Sequence, residues 1–173
     1  MSNPENQASE TSNELSAGRA AYESGAWADA HRLFGHADQA ASLGADDLEK
    51  LAISAYLIGR ESAYQTTLER AHQIYANKDR LIDAARCAFW LGLSLLFVGK
   101  SGSATGWLAR SKRLLSGADN QCVEQGYLLI PTAEQQLATS DFGAAYSTAS
   151  QAVDFGFRYG DAGLISCARH QQG

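Results

Sequence analysis

Gly99-Lys100-Ser101 is the tripeptide closest to phosphate chemistry, because a phosphate-binding loop ends in glycine, lysine and a hydroxyl residue. The rest of that loop is missing. The position five residues before Gly99 holds Ser94 rather than glycine, and an apolar helical segment precedes it instead of a strand. Backbone amides then have no cradle to form at the next helix N-terminus, and Gly99 reads as a turn residue in the same frame as Gly25 and Gly59. His31 and His36 lie five residues apart, about 140° around a helix axis. Zinc ligands on one helix are usually three or four apart, so these histidines read as surface or packing residues. Asp46, Asp47 and Glu49 could serve as an acid–base pair. They are better explained as the acidic first turn of a helix, where negative charge meets the positive end of the helix dipole. Cys87 opens the most apolar segment, beside Phe89 and Trp90, where a thiol behaves as a small core residue. Spacing places no Ser/His/Asp or Cys/His/Asp set. The expectation is a chain that is not an enzyme and uses no cofactor and no metal.

Those residues need elements to position them. The chain has 173 residues, 45% of them hydrophobic and 19% charged, enough to bury a core and too apolar for low-complexity disorder. Its net charge of -5 argues against nucleic-acid binding, which needs a basic face to neutralise phosphates. Two prolines and abundant alanine favour helix. The N-terminus lacks the basic and apolar stretches of a signal peptide. The longest apolar run, Cys87 to Val98, is shorter than the roughly 18 residues a membrane span takes. Cys87, Cys122 and Cys167 are odd in number and far apart, so they read as buried, reduced thiols in a cytoplasmic protein.

Residues 1–10 are polar and aperiodic and read as a disordered tail. Thr11-Ser12-Asn13-Glu14 has the form of a capping box, which predicts a helix start there. A repeat follows. Gly18, Gly25, Trp27, Ala30, Phe34 and Ala37 form its first copy: a small helix residue, a turn glycine, an aromatic two later, then small and large residues on one helical face. The second copy carries Ala52, Gly59, Leu68 and Ala71. The third has Gly92, Gly99, Ala104, Leu108 and Ser111, and the fourth Ala133, Phe142, Ala145, Ala149 and Ala152, with Ser140 in the turn position. A fifth begins at Asp161, with Gly173 where its small residue belongs. The predicted helices fall near 12–24, 26–42, 46–58, 61–76, 79–98, 101–116, 121–139, 142–159 and 161–173, with Pro131 kinking the seventh. Short polar connections pair such helices as antiparallel hairpins. The fold class expected is therefore all-α, an α-solenoid of about four helical hairpins plus a partial fifth. Residues 11–173 would form one repeat domain, with repeats near 12–43, 46–76, 79–116, 121–159 and 161–173.

The pattern resembles the tetratricopeptide repeat. The first copy matches it best; the second has Tyr64 where a small residue is expected, and the third and fourth exceed the usual length. The stretches Gly18 to Trp27, Ala55 to Arg60, Leu68 to His72, Ala85 to Gly92, Gly106 to Arg110 and Cys122 to Pro131 also resemble large LuxR-type bacterial transcriptional regulators with helical-repeat sensor regions. That resemblance runs over about residues 15–173. It implies a sensor or interaction segment without the C-terminal helix-turn-helix of that family, hence no direct DNA binding by this chain.

In tetratricopeptide arrays the first helix of each hairpin lines a groove. The resemblance places Arg19, Tyr22, Ile53, Tyr56, Arg86, Phe89, Leu93, Tyr127 and Glu134 toward it, residue types suited to a protein or peptide partner. The incomplete fifth repeat should leave Leu164, Ile165 and Cys167 as an exposed stacking face, for self-association or for further sequence. A second expectation is a small-molecule effector sensor, favoured by a closed cavity among Trp90, Phe97 and Trp107.

Overall fold

Apolar and small residues recur at helical spacing along nearly the whole chain, and helix is what forms. The structure, a computed structural model, describes residues 4–117 and 122–173, with side chains from Thr11 onward. All the regular structure among the described residues is α-helical. The chain divides into two compact units, Met1–Arg80 and Leu81–Gly173. The first holds α1 (Pro4–Glu23), α2 (Trp27–Ala40), α3 (Ala45–Leu57) and α4 (Glu61–Asn77). The second holds α5 (Leu81–Phe97), α6 (Ser101–Ser116), α7 (Val123–Tyr127), α8 (Leu129–Ala138), α9 (Phe142–Tyr159) and α10 (Ala162–His170). No helix among the described residues is long and apolar enough to cross a membrane.

In the first unit α1 packs on α2, α3 on α4, and α2 on α3. In the second, α5 packs on α6, and α9 packs on α7, α8 and α10. The contacts are close because small residues face large ones. Gly18 of α1 lies where a Cβ would meet the Phe34 ring at 3.2 Å. Gly92 of α5 lies where a Cβ would stand 2.9 Å from Leu108 of α6. Ala52 and Ala133, the other two members of that series, are fully buried. Gly173 is not an equivalent member, since α10 ends at His170. Ser111 ties α6 to α5 with a buried hydrogen bond of 2.8 Å from its hydroxyl to the Ala85 carbonyl.

Most connections are two or three residues long, and six of them share one geometry. A residue with positive φ follows the helix, and the next backbone N–H donates back to a carbonyl five residues earlier. The pairs are Ala26 to Ala21, Arg60 to Ala55, Arg80 to Tyr75, Lys100 to Leu95, Asp141 to Gln136 and Asp161 to Gly156. This satisfies a terminal carbonyl and turns the chain at once. Glycine fills four of the left-handed positions, while Asp79 (φ 54°) and Ser140 (φ 61°) fill the others. Gly99 takes φ 75°, like Gly25, so the Gly99-Lys100-Ser101 segment is a helix-ending turn.

Two boundaries differ from expectation. Of the expected disordered tail, residues 1–3 lie outside the described residues and 4–10 belong to α1. Pro4 suits a first helical position, where no N–H is needed, and no helix breaker follows before Thr11. Thr11 and Glu14 therefore sit inside a helix, not at its start. The helix expected over 121–139 is divided at Leu128 into α7 and α8. Pro131 has no N–H for the Tyr127 carbonyl, and its ring crowds that carbonyl, so the break falls one turn before it.

The shared turn predicts opposite responses at two sites. Gly59 has nothing within 4 Å of an added Cβ, so Gly59→Ala carries only the left-handed penalty and should cost about 1–2 kcal/mol. Ser140→Gly should relieve the same penalty, offset in part by the looser unfolded chain, and stabilise by roughly 0.5–1 kcal/mol. Urea unfolding of both variants checks this; a destabilised Ser140→Gly would contradict it.

Candidate functional site

In the first unit the expected groove cation, Arg19, is bound into the fold by charge. Arg19 on α1 grips Asp47 on α3 with two hydrogen bonds, Nε to Oδ1 at 2.9 Å and Nη2 to Oδ2 at 2.7 Å. Tyr22, one turn on, packs edge-on against Trp27 with ring centroids 5.3 Å apart, and the Lys50 ammonium lies 5.7 Å from its ring. Burial first, then Glu49 and Glu23, raise its hydroxyl pKa above the usual value. Ile53 is half-buried, and Tyr56 is exposed with its ring 5.1 Å from that of Tyr64. Asp46 and Glu49 converge on one hydroxyl: Tyr75 Oη lies 3.1 Å from Asp46 Oδ1 and 3.0 Å from Glu49 Oε2. Arg80 covers the Tyr75 ring at 4.5 Å and forks onto Asp46 at 3.0 Å. The acidic start of α3 therefore joins α3 to α1 and α4 as well as meeting the helix dipole.

The second unit brings three of its five expected residues together. Arg86 and Phe89 of α5 and Tyr127 of α7 line a cavity of about 130 Å³ with Trp90, Val123, Glu124 and Asp161. The rings of Phe89, Trp90 and Tyr127 form a triad with centroids 5.1 to 5.6 Å apart. The Arg86 guanidinium donates to Asp83 at 2.7 Å and to the buried Glu124 at 3.4 Å. Tyr127 donates its hydroxyl to Asp161 Oδ1 at 3.0 Å, and the same oxygen caps α10 by accepting from Leu164 N–H at 2.7 Å. Burial, then this bond to Asp161, hold the Tyr127 hydroxyl well above its usual pKa. Glu134 lies apart on α8, where it accepts from Gln171 Nε2 at 3.0 Å. Leu93 is half-buried on α5.

The exposed stacking face expected at the C-terminus is corrected. Leu164 is fully buried in a cluster with Ile130, Ala152 and Ala168. Ile165 is half-buried, and only Cys167 is exposed. The reason is that α10, nine residues long, already lies against α9, so its apolar face is covered within the unit. Cys87 and Cys122 are buried as expected, and burial raises the Cys122 thiol pKa. Phe97 is 77% exposed, so it closes no cavity with Trp90 and Trp107.

Glu124 and Asp161 were not expected at a site, and Trp90 was expected only in a cavity with Phe97 and Trp107. Trp90 adjoins Phe89 in sequence and Glu124 precedes Tyr127 by one turn, so helical spacing alone could have joined both to the set. Asp161 shows itself in sequence as a helix cap; its bond to Tyr127 depends on how α7 and α10 meet.

Chemically the recess pairs aromatic walls with two carboxylates, Glu124 and Asp161, against a single cation, Arg86, that already holds two carboxylates. That balance is negative, and it suits a small organic cation at aromatic faces. Among the described residues no three His, Cys, Asp or Glu side chains are grouped to hold a metal ion. No protein-family model matches the chain, and no curated protein matches it.

The ion pairs of the first unit predict an acid response. A hydrogen bond from Arg70 lowers the Asp38 pKa, and one from Arg80 lowers that of Asp46. Each carboxylate binds its proton less readily folded than unfolded. Its contribution is therefore complete above the unfolded pKa of about 3.9 and is lost as pH falls through the lower folded value. Stability should hold from neutral pH to about pH 5 and drop below about pH 4. Asp38→Asn should flatten that drop and lower stability at pH 7 by about 1 kcal/mol, as checked by urea unfolding across pH. An unchanged acid limb would count against the role of Asp38.

Proposed function

We propose that this chain is a non-enzymatic, tetratricopeptide-like interaction module, akin to the helical-repeat region of LuxR-type regulators, and that the recess on α5, α7 and the start of α10 holds a cationic group of a protein or peptide partner. The observation that carries the reading is the convergence of Phe89, Trp90 and Tyr127 with Glu124 and Asp161 on one cavity of about 130 Å³. That volume holds one side-chain terminus, about four waters' worth of space. Repeated helix pairs, shared turn geometry and small-to-large packing support the tetratricopeptide-like build. The net charge of -5 supports a partner other than nucleic acid. With Leu164 inside the core, self-association through the C-terminal end loses its physical basis, and the proposal rests on the recess.

The alternative, a small-molecule effector sensor, is favoured by the same cavity if the ligand is a free amine. Thermal unfolding separates the two. N-acetyl-lysine methylamide and agmatine should raise the melting temperature, and N-acetyl-glutamine methylamide should not. A native-state ligand at a hundred times its Kd stabilises by about 2.7 kcal/mol. Glu124→Gln should remove the shift. A pentapeptide with one central lysine binding more tightly than agmatine supports the interaction module, whereas agmatine binding as tightly supports the sensor. No shift with any cation would overturn both.

A further inference from the structure

A second feature lies beside the break at Leu128, which itself lines it. α8 packs on α9, and α6 packs on α5. A cleft of about 1000 Å³ opens where α6 and α8 face each other. Leu108, Ala109 and Lys112 line it from α6, and Leu129, Thr132 and Glu134 from α8, with none of the residues of the aromatic recess. Leu108 is anchored against Gly92 behind it, so this wall does not yield easily. The dimensions match a helix: a cylinder about 10 Å across fills such a volume in roughly two to three turns.

Charge selects the occupant. Arg110, Lys112 and Arg113 are the only charges on α6, in a chain of net charge -5. Lys112 is exposed on the cleft wall, and Arg113 lies beside it on the helix surface. The facing α8 carries a single charge, Glu134, which Gln171 already engages. A guest helix therefore meets an apolar centre, a basic rim on one side and a weakly acidic rim on the other. We propose that the α6–α8 cleft docks an amphipathic helix of a partner protein, with its leucine-type face on Leu108 and Leu129 and its acidic flank over Lys112 and Arg113.

The test uses two synthetic amphipathic peptides with the same leucine/alanine face, one flanked by glutamate and one by lysine, read by fluorescence anisotropy on the full chain. The glutamate peptide should bind at least tenfold more tightly, and less so at high salt. Thr132→Trp, which fills the cleft from an exposed position, should weaken binding about tenfold, and Lys112→Glu should reverse the preference between the peptides. Circular dichroism establishes that both variants fold. Absence of binding by either peptide at about 1 mM, equal binding of the two, or indifference to both substitutions would overturn the proposal. So would a dimer that Thr132→Trp dissociates, since the cleft would then belong to a second copy of this chain.

Discussion

Each helix pair depends on reversing the chain within two or three residues without leaving carbonyls unsatisfied. A left-handed residue followed by a backbone bond to a carbonyl five residues back does both. The turn then fixes where the next helix starts, and so which of its faces meets the helix before it. Close approach follows only where that face is small, as at Gly18 against Phe34 and Gly92 against Leu108. A wider turn would shift these contacts by a fraction of a helical turn and put side chain against side chain. That the same geometry tolerates Asp79 and Ser140 shows how strongly packing on either side enforces it.

This dependence explains what was readable in advance. Turn glycines, small contact residues and helical phase are local signals, so the helices fall close to their expected places, and the turn assigned to Ser140 is left-handed as its frame requires. The helix start was misplaced because Thr11 to Glu14 has capping chemistry that operates only where a helix actually begins, and α1 begins at Pro4. Arg86, Phe89 and Tyr127, which the resemblance put on one groove, line one cavity. The resemblance could not show that Glu134, past the break at Leu128, would leave that group, nor that Leu164 would be covered by α9 within its own unit. Both depend on distances between elements that no periodicity contains.

The arginines show how composition can mislead about function. Arg19, Arg70, Arg80 and Arg86 are each held by carboxylates from elsewhere in their own unit. Two of these, Arg19 and Arg86, look like groove residues by position. An arginine gripping Asp47 at 2.7 Å already has its charge met within the fold. In the first unit the one expected cation, Arg19, is committed in this way, and the Tyr56 ring stays exposed. In the second unit Arg86 is likewise committed, yet the carboxylates around it outnumber it. The binding character of the recess therefore comes from Glu124, Asp161 and the rings rather than from the arginine that first drew attention.

Pro131 links these features. By denying a hydrogen bond to the Tyr127 carbonyl it ends α7 at a residue whose ring completes the triad with Phe89 and Trp90 and whose hydroxyl reaches the cap of α10. On both sides of the break the chain lies against α9, which α7 and α8 both contact. Beyond the break, residues of α6 and α8 line the cleft. The break therefore lies between the last aromatic wall of the recess, Tyr127, and the cleft, which Leu128 and Pro131 line. The two sites adjoin at α7 and share no lining residue, so a substitution at Thr132 can close one without touching the chemistry of the other.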